Sequence, residues 1–69
     1  MVNTALLKDL IEKSGKKKTH LATKCGLSRQ GFRNKCNGKS DFYANEINCL
    51  CKELNINSPE EKERIFFAD

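Results

Sequence analysis

The sequence predicts an all-α fold, and three observations carry that prediction. Apolar residues recur at three- and four-residue spacing in separate stretches, the period of one helix face. Residues that start and stop helices fall in the intervals between those stretches. With one proline and five aromatic residues among 69, the composition suits a helical bundle better than a strand-rich fold. The length allows one domain, residues 1–69, near the lower limit of what folds without a metal or disulfide.

A first helix is expected over residues 3–14, where Leu6, Leu7, Leu10 and Ile11 form an apolar stripe with Lys8, Asp9, Glu12 and Lys13 outside it. Asn3 or Thr4 can cap its start, and Gly15 supplies the left-handed residue that often follows a helix. Lys16, Lys17 and Lys18 then lead into a second helix over residues 18–25. Leu21 and Cys25 point inward there, and Ala22 offers only a methyl where two helix backbones must cross closely. Gly26 suits a positive φ, Leu27 plugs the turn from inside, and Ser28 can cap the next helix.

A third helix over residues 29–36 buries Phe32 and Cys36, four residues apart. Gly31 is unfavourable in its interior, and its missing side chain permits close approach either to a ligand or to the second helix. Phe42 anchors the following loop. Ile47, Leu50, Cys51 and Leu54 then mark a fourth helix over residues 43–54, and Ile56 packs beneath the next turn. The stretch Ser58-Pro59-Glu60-Glu61 combines a capping serine, a proline at the first position and an acid three residues after the cap. It starts a fifth helix that runs to residue 67. Ile65, Phe66 and Phe67 exceed what so short a helix needs for its own packing, so they serve either core completion or a partner surface.

Charge is distributed unevenly. The net charge of +4 divides into +8 over residues 1–40 and −4 over residues 41–69. A positive field on one side of a small domain favours a polyanion, with counterion release making such binding salt-dependent. The cationic run at residues 16–18 leads into a helix start, where backbone amides add to the attraction for a phosphate oxygen. The longest apolar run, Ile65 to Ala68, is far short of a membrane span, and charged residues begin at Lys8 without a signal-peptide apolar region. These features predict a cytoplasmic protein with no membrane partner.

The four cysteines, at positions 25, 36, 49 and 51, lack the paired spacing of a structural zinc site. Disulfides are equally out of place in a cytosolic chain, so the sequence predicts no metal and no cofactor. Cys25, Cys36 and Cys51 fall at apolar helical positions and act as small hydrophobes, while Cys49 lies off that face. One histidine, His20, on the outside of the second helix, supplies no triad, and the carboxylates are scattered, so no enzymatic role or small-molecule substrate is expected.

The third helix also carries polar residues that no core requires. Arg29, Gln30, Arg33 and Asn34 lie off its inward side. Arginine pairs bidentately with guanine, glutamine and asparagine with adenine, and a major groove accepts a helix of this size. These four are the candidate base readers.

Taken together, Leu21-Ala22, Cys25-Gly26-Leu27-Ser28, Phe32 and Asn37-Gly38 stand in the register of a helix-turn-helix. The chain resembles the lambda repressor-like superfamily, which includes Cro-type and other small phage or prophage regulators. The resemblance covers most of the chain and implies a compact five-helix domain whose third helix enters the major groove. Phosphate contacts are implied at Lys17, Lys18 and Thr19 and at Asn37 and Lys39, with Ser28 at the turn counted among them. Tyr43 packs, with a hydroxyl within reach of a phosphate as its second role, and His20 lies near phosphate. Lys35 departs from the family pattern, which places an apolar residue there; its stem can follow the core while its ammonium reaches solvent or phosphate.

The function so implied is a sequence-specific DNA-binding transcriptional regulator of a bacterial host cell, a repressor whose partner is a double-stranded operator. A homodimer is one way to address two half-sites. A competing expectation is an antirepressor or modulator whose main partner is a repressor protein, bound through Ile65, Phe66 and Phe67.

Overall fold

A computed structural model describes residues 2–67, leaving Ala68, the end of the apolar run, outside. Each of its five helices begins or ends on a residue suited to that place. Helix α1 (Thr4–Ser14) is capped by Asn3, whose Oδ1 accepts the Leu6 N–H at 3.1 Å, and ends at Gly15 with φ +73°. Helices α2 (Lys18–Lys24) and α3 (Arg29–Cys36) follow, then α4 (Ala44–Glu53) and α5 (Pro59–Phe66). Among the described residues there is no strand, and no helix is long and apolar enough to cross a membrane.

Three helices end in the same hydrogen-bond arrangement. After α2 the Leu27 N–H reaches the Ala22 carbonyl at 2.9 Å, with Gly26 at φ +72°. After α3 the Lys39 N–H reaches the Asn34 carbonyl at 2.9 Å, with Gly38 at φ +80°. After α4 the Ile56 N–H reaches the Cys51 carbonyl at 2.8 Å, with Asn55 at φ +57°. This C-terminal motif usually buries the residue after the left-handed one. Leu27 and Ile56 obey, packing against the core. Lys39 does not: it is exposed, so the end of α3 presents a cation where the other two turns present an apolar plug.

The core is drawn from all five helices and the loop before α4: Leu7, Leu21, Phe32, Phe42, Leu50 and Ile65 are among its buried residues. Helix α1 packs on α3 and α5, and α2 packs on α3 and α4. Ala22 is buried between helices, as its size required. Phe42 joins two aromatic neighbours edge-on, with ring centres 6.4 Å from Phe32 and 5.6 Å from Phe66, the arrangement favoured by the ring quadrupole. The Asn3 N–H donates to the Ile65 carbonyl at 2.7 Å, tying the start of α1 to α5.

This docking corrects the expected partner surface. Ile65 and Phe66 are 0% and 3% exposed and belong to the core, leaving Phe67 at 54% as the one outward residue of the three. Successive helical residues are about 100° apart, so three in a row cannot share a face.

Lys35 also departs from expectation. Its ammonium turns inward to the Glu46 carboxylate rather than outward, with side chains only 11% and 7% exposed. Glu46 Oε1 accepts the Tyr43 N–H as well, at 2.8 Å, which satisfies a free amide at the start of α4. The Tyr43 ring covers the pair, its centre 4.2 Å from Lys35 Nζ, so Tyr43 packs on a cation rather than in the core. Burial alone would raise the Glu46 carboxyl, but the hydrogen bonds from Lys35 and from the Tyr43 amide outweigh it and lower it below the usual glutamate range.

Candidate nucleic-acid interface

The cationic run at residues 16–18 does not act as one unit. Lys16 turns to the end of α4, where its Nζ lies 2.6 Å from the Glu53 carbonyl oxygen and 3.4 Å from Glu53 Oε1. A cation there satisfies a terminal carbonyl and the negative helix end. His20 approaches the same carboxylate, with Nε2 3.8 Å from Glu53 Oε1, so its nearest charged partner is within the fold. Lys17 and Lys18 remain exposed.

Lys18 and Thr19 from α2, Arg29 and Arg33 from α3, and Asn37 after it surround one cleft of about 160 Å³, floored by Phe32 and Cys36. The sequence had divided these residues between phosphate and base contacts; the structure places members of both groups around one opening. Lys8 of α1 lines it too, a residue that sequence reading had left on a plain solvent face. A lysine on the exposed side of the first helix gives no local signal, because only the packing of α1 on α3 brings it there. Burial pushes the Cys36 thiol up to about 11, and the ammoniums of Lys18 and Lys8 pull against that shift.

The other two candidate base readers form a unit of their own. Gln30 Nε2 donates to Asn34 Oδ1 at 2.9 Å, across one helical turn. The bond fixes one amide against the other and leaves the Gln30 oxygen as an acceptor and the Asn34 nitrogen as a donor. Such ordering before binding removes part of the side-chain entropy cost of recognition.

Ser28 caps α3, accepting the Gly31 N–H on Oγ at 3.0 Å. A Cβ on Gly31 would meet that same Oγ at 3.0 Å, so the glycine's nearest constraint is the cap rather than helix α2. Replacing Ser28 by alanine should cost about 1 kcal/mol, visible as a drop of roughly 4–8 °C in the thermal unfolding midpoint. The remaining phosphate candidates, Lys17 and Lys39, are exposed beside Lys18 and Asn37 in the chain.

The cysteines are free thiols. Cys49 is half-buried and its Sγ donates to the Lys24 carbonyl at 3.3 Å. Burial, a hydrogen bond with Cys49 and nearby carboxylates push the Cys25 thiol up to about 12, far from a reactive thiolate. Among the described residues no group of three or more metal-ligating side chains comes together. Comparison of the chain with protein-family models, curated proteins and solved structures gives no match, so the functional reading rests on sequence pattern and geometry.

Proposed function

We propose that this protein is a sequence-specific DNA-binding regulator of the lambda repressor-like type, with α3 as the recognition helix in the major groove. The observation that carries the reading is the shared surface of α2 and α3. There an exposed arginine pair and a bonded Gln30–Asn34 amide unit lie beside Lys18, Thr19 and Asn37. Forked and amide groups suit base edges, and the flanking cations and hydroxyl suit phosphates. Occupying an operator that overlaps a promoter would make such a protein a repressor. The longest dimension of the chain is 27 Å, short enough for two copies side by side to present α3 to half-sites about 34 Å apart.

Base reading is tested with the Gln30→Ala, Arg33→Ala double variant against sequences selected from a random duplex pool. Each lost contact should cost about 1–3 kcal/mol and relax preference at its own base pair. Unchanged operator affinity in the folded double variant would sink the assignment. The competing modulator reading keeps only Phe67 of its apolar surface. Loss of a repressor complex on Phe67→Ala, with DNA binding intact, would favour it.

A further inference from the structure

The described ion pairs occupy Lys13 with Asp9, Lys16 with Glu53, and Lys35 with Glu46. Lys8, Lys18, Arg29 and Arg33 make none among the described residues, yet these four cations from three helices line a single cleft into which no carboxylate projects. Clustering like charges without a counter-ion raises the energy of the folded state. An anion in the cleft relieves that cost. Thr19 and Asn37, on the same lining, add neutral hydrogen-bond donors suited to a phosphate oxyanion.

We infer that the cleft seats one phosphodiester of the DNA backbone and that Lys8, outside the helix-turn-helix, contacts it. The inference rests on the DNA-binding reading and extends the phosphate grip to α1. With Lys8 on one wall and Lys18 and Arg29 on the others, the seated phosphate fixes how deeply α3 enters the groove.

The test compares Lys8→Gln with Lys13→Gln. Both remove one charge from α1, but Lys13 is paired with Asp9 and does not line the cleft. Both lysines are exposed, so thermal unfolding should move little in either variant, slightly upward for Lys8→Gln, which relieves the cluster, and slightly downward for Lys13→Gln, which loses the Asp9 pair. Lys8→Gln should weaken operator and random duplex by the same factor and reduce the slope of log affinity against log salt by about 0.9. Between 50 and 200 mM salt the wild type should thus lose roughly threefold more affinity than Lys8→Gln. Lys13→Gln should keep the wild-type slope.

Duplexes carrying one neutral methylphosphonate at a time locate the contact. At one backbone position the substitution should cost wild type more affinity than Lys8→Gln, which keeps Lys18 and Arg29 on the same cleft, and at all other positions the two losses should be equal. Equal slopes for the two variants, or equal methylphosphonate losses for wild type and Lys8→Gln at every position, would overturn the seat while leaving the DNA reading intact. A cleft serving a free inorganic anion gives that same equality. Failure of the wild type to bind any duplex would overturn both.

Discussion

Replacing Glu46 by alanine should lower the unfolding free energy by about 3 kcal/mol, measured by denaturant titration. Breaking one partner of a buried ion pair typically costs 3–5 kcal/mol, roughly; the low end applies because Lys35 and Glu46 lie just beneath the surface, under the Tyr43 ring. A chain of this length has only about 3–10 kcal/mol of total stability, so the loss removes between about a third and all of it. The loss has two sources: the Lys35 ammonium left without its carboxylate, and the Tyr43 amide left without its acceptor. Adding Lys35→Met should recover much of it, since a flexible apolar side chain fits where the ammonium was and leaves no charge to solvate. A double variant no more stable than Glu46→Ala would show that the amide contact, not the ion pair, dominates.

The same pair sets an acid limb. A glutamate whose folded-state pKa is lowered contributes stability that is fully present above its unfolded value, about 4.3. That contribution is lost as pH falls through the lower folded value. Stability against pH should therefore fall below about pH 4.3 in the wild type and fall less in the Lys35→Met, Glu46→Ala double variant.

The second large effect separates two neighbours. Phe66→Ala should cost about 3–5 kcal/mol, because it empties a core site that touches the Phe42 ring edge-on. Phe67→Ala should change stability by no more than about 0.5 kcal/mol, being over half exposed. Chemical denaturation of the two single variants reads the contrast directly. Similar losses at both positions would contradict the docking of α5.

Local signals made much of this architecture legible. Asn3, Ser28 and Ser58 are short polar caps whose effect reaches only three residues, and each caps where expected. Gly26 and the methyl of Ala22 specify a close crossing of α2 and α3 for the same reason: the constraint lies within one turn of chain. The features that carry no local signal depend on distance in space. Lys35 and Glu46 are 11 residues apart, and each alone resembles an ordinary surface charge. The clue was a lysine at an apolar position of α3, which implies a buried acid somewhere but not which one. Phe66 and Phe67 were indistinguishable until the docking of α5 on α1 chose a face. Lys8 joined the cleft, and Lys16 left the cationic run, through packing of the same kind. Arg29, Gln30 and Arg33, exposed, and Asn34, half-buried, are legible in the sequence because such side chains look wasteful on a short helix; the hydrogen bond that joins two of them depends on their rotamers and leaves no mark in the sequence.

Tyr43 gives this domain one further property. The chain has no tryptophan and a single tyrosine, and that ring lies on the ammonium that links α3 to α4. Its ultraviolet emission therefore reports on a single joint of the molecule, unmixed with signals from elsewhere. Loosening of α3 from α4 is visible as a change in that emission, with no dye or added label, while the rest of the core is still intact.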